Sequence, residues 1–212
     1  MKKIQSLFYR AQNFIIRKWF VIKRINTPEN VVYITFDDGP ERGVTEFILD
    51  ELSKFNFKAT FFCCGIAAAA NTDLLERIVN EGHAIGNHTY NHVLAYRSSS
   101  FDYLKDVENA DSILHTNLMR PPYGSLSISS FLKLRKKYKF IYWSLDSFDY
   151  LDDGNKEDYL NKLFENTKRG DIVLFHFCAK HEAQTRRILP LYLNWLEQNG
   201  FKSNKIFINN DQ

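Results

Sequence analysis

Asp37 and Asp38 are the densest chemistry in the chain. They stand in Thr35-Phe36-Asp37-Asp38-Gly39-Pro40, directly after the apolar run Val31-Val32-Tyr33-Ile34. That run reads as a short buried strand, and Gly39-Pro40 as the turn that ends it. Neighbouring side chains on a strand point to opposite faces. One carboxylate can therefore bind a cation while the other handles a proton. The plain alternative is a solvated Asp-Gly turn. His88 and His92 are four residues apart in His88-Thr89-Tyr90-Asn91-His92. On a helical turn their imidazoles would share a face and could hold one metal ion. Thr89 occupies the place where the zinc-protease motif requires Glu, so the spacing points to a metal but not to that class. With Asp38 the pair makes a set of two imidazoles and one carboxylate that leaves positions open for water or substrate. Zinc is the default ion for such donors, with cobalt, manganese and iron also compatible.

Three further segments carry chemistry. Arg120-Pro121-Pro122-Tyr123-Gly124 is rigid by composition, which suits a backbone N–H that must be aimed, and Arg120 is a natural partner for a carboxylate. An ordinary turn with a surface Arg is the bland reading. Trp143-Ser144-Leu145-Asp146-Ser147-Phe148-Asp149-Tyr150 leaves one strong strand. Asp171-Ile172-Val173-Leu174-Phe175-His176 forms the next, with His176 at its end facing the pocket. A single His there is more often structural than catalytic. The odds change because all five segments close strands of one repeating pattern.

That pattern alternates strand and helix from residue 31 onward. Strands are predicted at 31–36, 58–63, 83–87, just before Arg120, 140–145, 171–177 and 202–207, with amphipathic helices between them. The segment 67–70 is read as helix-friendly filler. About seven β/α units imply a parallel sheet with helices outside, closed or nearly closed into a barrel. In such barrels the active site lies at the C-terminal ends of the strands, where every candidate residue falls. Domain boundaries are expected at 1–27 for an N-terminal segment and 28–212 for the barrel.

Composition narrows the class. The chain has 212 residues, 44% of them hydrophobic and 15% aromatic, which is ample for one core. A formal charge of +3 argues against a nucleic-acid partner. Cys63, Cys64 and Cys178 form neither a disulfide framework nor a zinc-binding CxxC pair, and read as buried thiols. Residues 1–24 carry Lys2, Lys3, Arg10, Arg17, Lys18, Lys23 and Arg24 without one acid. Ile4, Leu7, Phe8, Ala11, Phe14 and Ile15 fall at helical spacing in the same stretch. Such a basic amphipathic helix can pack on the domain or touch an anionic membrane surface. The cations interrupt any signal-peptide core, so the expected location is cytoplasmic or peripheral to the inner membrane.

Taken in order, TFDDGP, HTYNH, RPPYG, DSFDY and LFH resemble the polysaccharide deacetylase family, also described as the NodB-homology domain or carbohydrate esterase family 4. All five family motifs appear in order, and residues 31–207 span the whole domain. The resemblance implies a distorted (β/α)7-type barrel, here with an additional N-terminal amphipathic helix. It implies a divalent metal and removal of acetyl from the N-acetylhexosamine units of a glycan. By the same resemblance Asp38, His88 and His92 bind the metal, Asp37 is the general base, and Arg120 holds Asp37. The backbone N–H of Tyr123 helps bind the oxyanion, and Leu174 lines the pocket for the acetyl methyl. His176 is the general acid, oriented by Asp149. Two positions depart from the family pattern, Phe177 for an Asp or Asn and Tyr150 for a Trp, and both are expected to alter the pocket wall. A catalytically idle glycan-binding member and an O-acetyl esterase are the alternatives.

Overall fold

The computed structural model describes residues 12–151 and 156–207, so the predicted helical positions Ile4 to Ala11 and the cations Lys2, Lys3 and Arg10 lie outside the described residues. A helix α1 is described over 12–19. Then follow β1 (Val31–Asp38), α2 (Val44–Lys54), β2 (Ala59–Cys63), α3 (Gly65–Ala70), α4 (Thr72–Asn80), β3 (Ala84–Asn87), α5 (Ser100–Leu114) and β4 (Leu118–Met119). The second half holds α6 (Ile128–Leu134), β5 (Lys139–Phe140), β6 (Leu145–Asp146), α7 (Lys156–Asn166), β7 (Ile172–His176), α8 (Glu182–Gln198) and β8 (Lys202–Ser203). Every strand pair is parallel and the spatial order is β5-β4-β3-β2-β1-β7-β6. The last strand, β8, pairs with the first residues of β1 at Val31 and Val32. The predicted distorted barrel is therefore the observed architecture, as a strongly curved, incompletely closed sheet with helices outside.

The predicted strand 140–145 is broken. Its two ends are β5 and β6, and these lie at opposite edges of the sheet. The chain between them spans the open seam, with Ser144 N–H bonded to Ile172 O at 3.0 Å. The segment after α1 fills the same seam. Ile22 bridges Ile141 in parallel and Ile25 N–H donates to Gly170 O at 2.8 Å. Apolar content alone could not distinguish one strand from two short ones joined by a crossing, because both bury the same side chains.

Period-two alternation sorts the side chains. In β1, Ile34 and Phe36 face outward into the layer under the helices, where they join Phe61, Val173, Phe175, Ile188 and Leu189. Phe36 stacks on Phe61 with ring centroids 5.0 Å apart. Burying a side chain of this size stabilises the fold by roughly 1.5–3 kcal/mol. Thr35 and Asp37 face the interior, as do Leu174 and His176 in β7 across the register pairs Thr35–Leu174 and Asp37–His176. The polar residues are thus stacked above an apolar plug that includes Phe62, Leu118, Ile141 and Ile172.

Helix α1 uses both of its faces. Ile16 is buried beside Phe131 and Tyr142, while Phe14, Ile15 and Trp19 are exposed. Among the described residues no helix is long and apolar enough to cross a membrane. Arg17 places its guanidinium 5.6 Å from the Tyr142 ring centroid and 5.8 Å from that of Trp143, a cation–π arrangement that ties the helix to the barrel mouth.

Candidate active site

Of the ten site residues expected from the sequence, eight line one cavity, and Arg120 and Asp149 are buried behind its wall. It has a volume of about 410 Å³ and is lined by Asp37, Asp38, His88, His92, Tyr123, Trp143, Asp146, Tyr150, Leu174, His176, Lys180 and His181. A larger hollow of about 680 Å³ lies elsewhere, against Arg24, Asn26, Lys168 and Arg169, and holds none of these acids or imidazoles.

The two adjacent aspartates have separate environments. Asp37 is 5% exposed and points inward to Arg120, whose Nη1 lies 2.7 Å from its Oδ1. Arg120 is fully buried. Its Nη1 also donates to Thr35 Oγ1 at 2.8 Å, its Nε to Ile141 O at 3.1 Å and its Nη2 to Tyr142 O at 3.0 Å. The guanidinium lies over the Phe62 ring, 4.2 Å from its centroid. A buried cation persists only when its donors are used and a counter-charge is near, and here both conditions hold. The surface-Arg reading of this turn is excluded.

Asp38 faces the imidazoles instead. Its Oδ1 is 3.4 Å from His88 Nε2 and 3.2 Å from His92 Nε2. Burial by itself would raise the Asp38 carboxyl, but the neighbouring His88 and His92 imidazoles outweigh it and hold the group far below the ordinary carboxylate range. His88 Nδ1 lies 2.7 Å from Arg120 O. A carbonyl can only accept, so this contact puts a proton on Nδ1 and leaves Nε2 as the ring nitrogen turned toward Asp38 and His92. That is the arrangement a metal-ligating His requires. The ligand atoms of Asp38, His88 and His92 all lie within 4.8 Å of one another, so the donor set fits a divalent ion.

The helical turn on which His88 and His92 would share a face does not form at 88–92. The segment is a loop in which Thr89 and His92 have φ of 65° and 52°. The loop is shaped from outside. Asp106 on α5 accepts from Tyr90 N–H at 2.8 Å and Asn91 N–H at 3.0 Å, and the first amides of α3, Gly65 and Ile66, bond to Thr89 O and Tyr90 O. The imidazoles still meet, with ring centroids 5.1 Å apart. Asp38 and Tyr123 are other non-glycine residues of the cavity lining with positive φ, of 91° and 60°. Such conformations cost on the order of 1–3 kcal/mol each and persist where surrounding contacts over-determine them.

On the opposite wall His176 Nδ1 is 2.8 Å from Asp149 Oδ1. Asp149 is fully buried, and its Oδ2 accepts from His176 N–H at 2.7 Å and from the Thr185 hydroxyl at 3.0 Å. Burial alone would lower the His176 imidazolium, but the Asp149 carboxylate prevails and raises it to about 9. Tyr123 sits in a 3-10 turn at 122–124, between Pro122, which has no N–H, and Gly124, whose N–H donates to Pro121 O at 2.9 Å. Its ring is 4.9 Å from that of His92. Leu174 is buried at the cavity floor, and Tyr150 is half-exposed on the rim with its hydroxyl 3.3 Å from Asp146 Oδ2. Asp146 lines the cavity too, and burial pushes its carboxyl up.

Phe177 corrects one expectation. It does not reach the cavity wall but is fully buried in the outer core, with its ring 5.2 Å from that of Phe61. Only the Tyr150 departure changes the wall. Sequence reasoning also missed Thr35, Asp106 and Thr185, which position the site, and assigned no role to Lys180 or His181. Thr35 was findable, since it lies two residues before Asp37 and so on the same face of β1.

Comparison with known proteins places the chain among its relatives. A family model described as polysaccharide deacetylase matches residues 24–143. A peptidoglycan-N-acetylglucosamine deacetylase of Bacillus cereus is 32% identical over 191 residues, covering 86% of this chain and 89% of that protein. The peptidoglycan-N-acetylmuramic acid deacetylase PdaC of Bacillus subtilis is 32% identical over 158 residues, covering 72% of this chain and 33% of that one. Among solved structures, the Bc1960 peptidoglycan N-acetylglucosamine deacetylase aligns with a TM-score of 0.82 at 27% identity, over 90% of this chain and 92% of that one. The B. subtilis PdaC structure aligns with a TM-score of 0.76 at 27% identity, over 86% and 90% of the two chains. Motifs, barrel and relatives converge, and the chain belongs to the polysaccharide deacetylase family.

Proposed function

We propose that this protein is a metal-dependent hydrolase that removes the N-acetyl group from N-acetylhexosamine units of a glycan. One observation carries the reading: a carboxylate paired with buried Arg120 faces, across one cavity, an imidazole paired with buried Asp149, and a three-ligand set stands beside them. Asp38, His88 and His92 would hold the ion, with zinc the first candidate and cobalt, manganese or iron compatible with the same donors. When bound, the ion supplies polarisation of the acetyl carbonyl and a lower pKa for the attacking water.

The remaining work falls to the chain. Asp37 takes the proton from water as it attacks, and Arg120 fixes the direction of its lone pairs. The N–H of Tyr123 donates to the oxyanion of the tetrahedral intermediate. Leu174 excludes water from the acetyl methyl. His176 gives its proton to the departing amine, which cannot leave as an anion, and Asp149 with Thr185 orients the imidazole. Trp143 and Tyr150 offer ring faces to the sugar.

The decisive experiment is acetate release from a panel of N-acetylated and O-acetylated oligosaccharides, with chelation and metal add-back. The relatives' names put peptidoglycan fragments first in the panel. Release from N-acetyl sugars, lost on chelation and restored by zinc or cobalt, is the expected result. Preferential release from O-acetyl esters, or glycan binding with no release in the metal-replete protein, would refute the reading.

The His176–Asp149 pair also sets a pH dependence. Its folded value, about 9, is above the ordinary His value of about 6.5. The pair's contribution to stability is therefore fully present below about 6.5 and lost as pH rises through about 9. The acid form needed for amine protonation disappears over the same upper range. Asp149→Asn removes the charge that raises His176, so the alkaline fall of kcat/KM should move to lower pH. An unmoved alkaline limb would exclude His176 as the acid.

A further inference from the structure

Asp38 has two oxygens, and the metal centre described above accounts for only one. Its Oδ1 faces His88 and His92, whereas its Oδ2 lies 3.7 Å from Cys178 Sγ. Cys178 follows β7 by two residues, in the turn that leads into α8. His181 N–H donates to Cys178 O at 3.0 Å, closing that turn and placing the two side chains three residues apart on it. Ligand atoms of Asp38, Cys178 and His181 all lie within 4.8 Å of one another. Among the described residues this is the one such group besides Asp38, His88 and His92.

The donor types decide what could bind. One sulfur, one imidazole nitrogen and one carboxylate oxygen favour a thiophilic ion such as Zn²⁺ or Cd²⁺, and disfavour Mg²⁺ or Ca²⁺, which take oxygen ligands. Cys178 is only 7% exposed, but His181 lines the cavity, so an ion has access from the substrate side. Cys63 and Cys64 are buried and belong to neither ligand group.

We propose that Asp38 bridges two ion sites, and that Asp38 Oδ2, Cys178 Sγ and His181 form a second site for a thiophilic divalent cation. Binding there displaces the thiol proton to solvent and leaves a cysteine thiolate on the ion. The second ion shares a carboxylate with the first and sits on the wall that the glycan must pass, so its occupancy inhibits. A protein that needs one zinc would then be shut down by excess zinc. The inference rests on Asp38 also serving the first site.

Cadmium titration of the full-length, reduced protein tests it, because a cadmium–thiolate bond has an ultraviolet charge-transfer band that imidazole and carboxylate ligands lack. Two Cd²⁺ per chain and a thiolate band are expected. Cys178→Ser should bind one and show no band, and His181→Asn should weaken the second ion while leaving the first. His92→Ala should weaken the first ion and keep the band. One Cd²⁺ with no thiolate band, or a band that survives Cys178→Ser, would overturn the second site alone. No ion bound at either place would overturn it together with the metal centre of the proposed function.

Discussion

Asp37→Asn should lower kcat by about 10²–10⁴-fold, the range that a positioned general base contributes. The change is nearly isosteric. Asn cannot take a proton, and its amide group can turn a donor toward a guanidinium whose own donor formerly met Oδ1 at 2.7 Å. Ligand atoms Asp38 Oδ1, His88 Nε2 and His92 Nε2 are untouched, so the variant should still bind zinc with wild-type stoichiometry. Activity of the purified variant on an N-acetylated oligosaccharide, beside metal analysis of the same sample, separates loss of the base from loss of the ion. An active Asp37→Asn protein would remove Asp37 from the mechanism.

Arg120→Leu should destabilise the fold by about 3–5 kcal/mol, the cost of breaking a buried ion pair from one side. Its guanidinium is fully buried and meets Asp37, Thr35, Ile141 O and Tyr142 O at 2.7–3.1 Å. Leucine leaves a carboxylate without its cation and two carbonyls without donors. Urea denaturation would measure the loss as a lower midpoint. Arg120→Lys is the informative companion, since a single ammonium keeps the charge but cannot span all four acceptors. It should recover part of the stability and little of the rate. A Leu variant as stable as wild type would mean that the barrel interior does not depend on this pair.

The order of the five motifs made the barrel legible before any coordinates, and it named the candidate residues that the fold gathers around one cavity. Strand ends are where side chains can converge, and residue type at those ends is local information. What stayed hidden was supplied from a distance. The spacing of His88 and His92 would suit a helical turn, yet Asp106 on α5 and the first turn of α3 hold the amides and carbonyls of 88–92 in another shape. Thr185 reaches Asp149 from α8, 36 residues away, and no periodicity announces such a contact. Phe177 was assigned to the wrong side of the chain because the position after His176 was compared with a polar one in relatives. Alternation along β7 puts it instead with Phe36 and Phe61. The split of the predicted strand at 140–145 follows from the open seam, which only the sheet order reveals.

Arg17 sits against Tyr142 and Trp143, and Trp143 is part of the cavity wall. The leading helix is thus mechanically continuous with the rim over which the sugar passes. Arg17→Ala would spare every proton carrier and every ligand atom, and would still leave one indole of the rim without its brace. Affinity for glycan and turnover would then respond separately to the same substitution.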